Sequence, residues 1–206
     1  MPISTYNELR AAVADWLNRE DLAAVIPSFI SLAEADINRT LRDLRMETRA
    51  TLTLDQRYEA LPADWLETIR LELSGQTHRV ELVSNAAMSD MRRMRADLSG
   101  TPTSYCHTAG QLELYPTPDQ AYAAELVYFG KVAALSDVAP TNWLLTAAPD
   151  AYLYGALVQS APYLKDDQRA AVWAGLYQNA ITSLNASSET ARYSGSGLRL
   201  MRRGLV

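Results

Sequence analysis

Apolar residues recur at helical spacing at both ends of this chain and at strand spacing in its middle. Thr5 and Glu8 have the spacing of a capping box, after which Leu9, Val13, Trp16 and Leu17 share one face of a helix from Tyr6 to Asn18. A second amphipathic helix, Pro27 to Leu41, carries Phe29, Ile30, Ala33, Ile37 and Leu41 on its apolar face, with Pro27 in its first turn. From Met46 the period becomes two: Met46, Thr48, Ala50, Leu52 and Leu54 alternate with polar neighbours as in a half-buried strand. A short strand from Tyr58 to Leu61 follows, then a hairpin pairing Ile69 to Leu73 with Val80 to Leu82 across Ser74-Gly75. A helix is predicted from about Ala86 to Leu98, and three strands over Tyr105 to Thr108, Gln111 to Tyr115 and Tyr122 to Gly130.

The stretch from Asn142 to Asn185 reads as a helical hairpin. Its first helix, opening near Pro149, is apolar over a wide arc and must be covered on more than one side. Pro162 and Lys165-Asp166-Asp167 reset the chain, and Val172, Leu176, Ala180 and Leu184 form the inner stripe of the second helix, with Trp173 and Tyr177 beside them. The expected fold class is α+β. N- and C-terminal helices (1–45 and 137–191) form a helical bundle body, an antiparallel β region with one helix (46–136) is inserted between them, and 192–206 is a flexible basic C-terminal arm.

An apolar fraction of 48% suffices for a packed core. A leader peptide and a run of 18 apolar residues are both lacking, so the expectation is a chain made in a cytosol with no membrane partner. Charge divides sharply: removing Arg192, Arg199, Arg202 and Arg203 from 19 basic residues leaves 15 against 24 acidic ones, so residues 1–191 carry −9 and the last fifteen +4. An acidic body is ill suited to gripping duplex DNA, which leaves the arm for a polyanion or acidic partner.

Chemistry-bearing patterns are sparse. Cys106 is the single cysteine and His78 and His107 the two histidines, so neither a disulfide nor a multi-cysteine zinc site is expected, nor any cofactor. Glu113, Asp119 and Glu125 have no spacing that fixes a catalytic pair and read as solvated surface. Cys106 and His107 are strand neighbours that point to opposite faces, which prevents a thiol and imidazole pair. Met88, Met91 and Met94, beside Arg92, Arg93 and Arg95, read as packing residues before a contact face. The arm interleaves Leu198, Leu200, Met201, Leu205 and Val206 with its arginines, as in a segment that orders on a partner.

Several segments in order resemble the head-to-tail adaptor (connector) proteins of tailed bacteriophages. They are Thr5-Tyr-Asn-Glu-Leu, Ala14-Asp-Trp-Leu-Asn-Arg, Ile26 to Arg39, Met46-Glu-Thr-Arg-Ala, Tyr58 to Trp65, Leu112 to Pro118, and Pro140 through Asp167. The resemblance implies a structural virion protein, not an enzyme. About twelve copies would form a homo-oligomeric ring beneath the portal protein, extend the channel through which genomic DNA passes without specific binding, and attach tail or nozzle proteins. It implies a place at the head-tail junction of the virion, after synthesis in the host bacterial cytoplasm. Portal or partner contacts are then expected at Arg192, Arg199, Leu200, Met201, Arg202 and Arg203, and the subunit interface at Trp143, Tyr152, Tyr154, Trp173 and Tyr177. The arm is expected to be unordered before assembly. Two alternatives stay open: a tail-associated cell-wall (peptidoglycan) hydrolase, and a nucleic-acid-binding protein acting through the arm.

Overall fold

A computed structural model of the chain describes residues 2–75, 79–95, 98–164 and 169–194. The chain divides into two compact units, one of Met1–Leu44 with Val132–Val206 and the other of Arg45–Lys131.

The first unit holds helices α1 (Tyr6–Leu17) and α2 (Ile26–Thr40). The Thr5 hydroxyl accepts from the Glu8 amide at 3.3 Å, and the Glu8 carboxylate accepts from the amides of Ser4 and Thr5, so the first free N–H groups of α1 are satisfied by its own sequence. Asn18 ends it in a left-handed conformation (φ 53°) that Asn tolerates. The unit continues with α4 (Trp143–Ala147), α5 (Pro149–Leu164) and α6 (Ala170–Tyr193). Asn142 caps α4, accepting from the Leu145 amide at 2.8 Å. Gly155 of α5 lets three helices meet: a Cβ there would stand 3.2 Å from both Ala33 Cβ and a ring carbon of Tyr177. Leu9, Val13, Ile30, Ala33, Ile37, Tyr152, Ala156, Leu157, Trp173 and Ile181 are buried in this unit.

The second unit is built on seven strands: β1 (Glu47–Leu54), β2 (Tyr58–Ala60), β3 (Trp65–Leu73), β4 (Arg79–Leu82), β5 (Ser104–Thr108), β6 (Gln111–Tyr115) and β7 (Tyr122–Gly130). They hydrogen-bond in the order β1-β7-β3-β4-β5-β6-β2, giving a nearly closed, barrel-like sheet. Its inner face buries Leu54, Leu71, Leu112, Leu114, Ala124 and Leu126. Helix α3 (Asn85–Arg95) covers part of the other face, where Met88 packs with Cys106 and Tyr115.

The expected helical bundle body with an inserted antiparallel β region is therefore corrected. The fold is α+β with six α-helices among the described residues, but its strands form one seven-stranded sheet of their own rather than a small insertion. Nor is that sheet wholly antiparallel, because β4 and β5 pair in parallel, Glu81 with Ser104 and Leu82 with Tyr105. The physical reason is α3, which carries the chain back between β4 and β5 as a crossover; alternation of apolar residues reveals a strand but not its direction.

Candidate assembly surface

Helix α6 is the element whose outward face differs most from an ordinary solvated helix. From Ala170 to Ser188 it carries no charged side chain. Trp173, Tyr177, Ile181 and Ser188 turn inward, and Ala171, Val172, Ala174, Gly175, Leu176, Thr182, Ser183 and Ala186 are exposed. Val172 is 62% exposed and Leu176 37%. The inner stripe therefore lies one position round from the expected Val172, Leu176, Ala180 and Leu184. Two aromatic side chains remove more apolar area from water than Val and Leu do, and the Tyr177 hydroxyl finds an acceptor in the half-buried Asp36 at 2.8 Å. Burial, then that bond to a carboxylate, drives the Tyr177 phenol well above its ordinary value.

Gly175 sharpens the picture. A Cβ built there meets nothing within 4 Å. Glycine inside a helix costs about 1 kcal/mol relative to alanine, and no contact among the described residues requires it at this position.

Of the residues expected at a subunit interface, Tyr152, Trp173 and Tyr177 are 1%, 3% and 7% exposed and occupy the interior of the helical unit. The Tyr152 hydroxyl accepts from Asn142 Nδ2 at 2.6 Å. Tyr154 is half-buried and meets Trp16 edge-on, with ring centroids 5.7 Å apart. Trp143 is half-buried at the start of α4. The structure thus turns Tyr152, Trp173 and Tyr177 inward, keeps Trp143 and Tyr154 half-buried, and leaves Val172, Gly175 and Leu176 on the surface. Arg192 is exposed in the last turn of α6, whereas Arg199, Leu200, Met201, Arg202 and Arg203, with the expectation about their order, lie outside the described residues.

The remaining chemistry-bearing groups are engaged in structure. Glu113, expected at the solvated surface, is instead 7% exposed. Arg57 donates to its Oε1 through Nε at 3.0 Å and Nη2 at 2.6 Å, and Arg92 Nε donates to the same oxygen at 2.9 Å. Burial by itself would raise this carboxyl; the two guanidinium groups outweigh it and hold it below its ordinary value. Sequence reasoning missed this cluster because Leu112, Glu113, Leu114 and Tyr115 are all buried, so alternation marks no polar face. Asp119 accepts from the Tyr122 hydroxyl at 2.6 Å, and Glu125 pairs with Arg70 at 3.1 Å. Cys106 points toward Glu113, and burial pushes its thiol up. Met88 is buried and Met94 is 81% exposed, so the methionines do not act as one stripe. A groove of about 320 Å³ runs along α1 past Ile3, Ala11, Ala12 and Trp16; of its two carboxylates, Glu8 is spent on the helix cap and Asp15 stands on the same helix. Among the described residues, no group of three or more His, Cys, Asp or Glu is placed to hold a metal ion, and no helix is long and apolar enough to cross a membrane.

No curated protein matches the chain. A family model does: that of the SU10 adaptor protein, over residues 4–200. The match spans both units and α6, so it covers the elements that carry the candidate surface as well as those that support it. The chain belongs to the SU10 adaptor protein family, and is thereby a structural head-to-tail adaptor protein of bacteriophages.

Proposed function

We propose that the protein is one subunit of a ring that docks on the portal, extends the DNA channel and attaches tail components, and that the outward face of α6 is a lateral contact between subunits. The observation that carries this reading is the uncharged face of α6, with Val172 and Leu176 exposed and Gly175 bare. A solvated helix face is normally charged, and a small-residue position lets a second helix backbone approach closely. A ring needs a heterologous interface, in which one patch meets a different patch on the next copy and the rotation closes, here with about twelve copies.

Electrostatics agrees with the channel. The −9 of residues 1–191 suits a lumen past which DNA slides, since like charge repels phosphate. The basic segment 192–206 is the part assigned to the portal, with Arg192, Arg199, Arg202 and Arg203 as its cationic contacts.

The test is the double substitution Val172→Glu with Leu176→Glu. Both side chains are exposed, so the free chain keeps its circular dichroism and melts within about 0.5 kcal/mol of the parent. Assembly on a portal ring should be lost, because two carboxylates would be buried without partners. A double variant that assembles like the parent would remove α6 from the interface.

A further inference from the structure

Strand β4 leaves the sheet early, and side chains take over where it ends. Among the described residues it pairs with β3 at Leu71 and Glu72, and with β5 at Ser104 and Tyr105. One more backbone bond follows, from the Val83 amide to the Tyr105 carbonyl at 2.8 Å, before Ser84 turns the chain into α3 by accepting from the Ala87 amide. Beyond this point no strand among the described residues lies between β3 and β5. There the indole Nε1 of Trp65 donates to Thr68 Oγ1 at 3.0 Å, and Thr68 Oγ1 lies 3.0 Å from His107 Nε2. The imidazole also stacks at a tilt on Trp65, centroids 4.9 Å apart, and receives Tyr105 edge-on at 5.6 Å.

Donor counting favours one placement of the proton on this relay. An indole N–H only donates, so Thr68 accepts from Trp65 and has a single hydrogen left to give. His107 Nε2, 3.0 Å away, can accept that hydrogen when it is unprotonated, with the ring hydrogen on Nδ1. A protonated Nε2 would turn the bond round: Thr68 would accept twice and its own hydrogen would lose its partner, in a half-buried site where that loss is costly.

We propose that Trp65, Thr68 and His107 form a pH-sensitive latch that joins β3 to β5 past the end of β4, closed while His107 is neutral and released when Nε2 takes a proton. The surroundings favour the neutral ring. From β5 the one titratable group beside it is the Tyr105 phenol; Cys106 and Thr108 turn to the other face, toward Glu113, Arg57 and Arg92. From β6 the paired residue is the apolar Leu112, and from β3 the nearest charged residue in the chain, Glu67, is exposed. The residues where β4 ends, Leu82, Val83 and Ser84, carry no charge. Burial accordingly lowers His107 from its ordinary value of 6.5. The stabilisation is thus complete above about pH 6.5 and fades as pH falls through the lower folded value.

The full chain labelled with ¹⁵N reports this directly, with His78→Gln used to assign the two imidazoles. The expected result at neutral pH is His107 with Nε2 unprotonated and Nδ1 protonated. On acidification, its titration below the ordinary histidine range should move the Trp65 indole proton resonance and raise amide exchange of β3 and β5 in step. In Thr68→Val the His107 titration should shift upward and the Trp65 indole should no longer follow it. A doubly protonated or Nε2-protonated ring at neutral pH overturns the proposal. So does a His107 titration that leaves the Trp65 indole and the β3 and β5 amides unchanged in the parent protein, a result that does not depend on the variant folding.

Discussion

Replacing Gly175 by alanine separates what the single chain needs from what an assembly needs. None of the described residues lies within 4 Å of the added methyl, so the free protein should register only the change in helix propensity. That gain is about 1 kcal/mol, or about 2–4 °C in melting temperature for a chain of this size. If α6 packs against the neighbouring subunit through this position, the same methyl meets a facing helix. Overpacking of a close contact costs about 1–3 kcal/mol, which weakens each subunit contact from about fivefold to about a hundredfold or more. Differential scanning calorimetry of the free chain and a portal-binding titration read the two effects separately. Higher melting temperature with weaker assembly is the expected pair of results. Unchanged or improved assembly would refute the reasoning, and a lower melting temperature in the free chain would show that the face is already occupied.

Gly155→Ala should behave oppositely in the free chain, destabilising it by about 1–2 kcal/mol in urea titration, because the methyl would stand 3.2 Å from Ala33 and Tyr177. Thr5→Ala removes the hydroxyl that accepts from the Glu8 amide and should cost about 1 kcal/mol in the same assay. Glu113→Gln leaves Arg57 and Arg92 facing a neutral amide and should cost about 3 kcal/mol. In the parent, the folded carboxyl sits below its ordinary 4.5, so its stabilisation is full above 4.5 and is lost as pH falls through the lower folded value. Urea midpoints followed from about pH 6 to about pH 3 should show this loss in the parent and a shallower fall in Glu113→Gln.

Local signals were legible in the sequence where a few neighbouring residues decide the structure. Thr5 and Glu8 mark the start of α1 through bonds spanning three residues. Strand β1 follows from period two, since Ala50, Leu52 and Leu54 turn one face toward the inner core. What escaped depends on distant partners. The Arg57 and Glu113 pair spans 56 residues and the Arg92 and Glu113 pair 21, and neither spacing has a signature. The rotation of α6 was hidden because Val172 and Leu176 compete with Trp173 and Tyr177 for the inner face, and the contest is settled by Gly155 and Asp36 on other helices. The parallel pairing of β4 and β5 depends on where α3 returns the chain, which periodicity does not encode. The family resemblance was legible because it rests on the order of many segments, and the candidate surface was not, because it is defined by what α6 lacks.

The central claim, a subunit that assembles on a portal, is tested most directly by the mass of the purified protein in native mass spectrometry, alone and after mixing with a portal ring. The account predicts a monomer near 22.8 kDa alone and, with the portal, a single closed complex that gains about twelve copies. A protein that stays monomeric in the presence of the portal would contradict it.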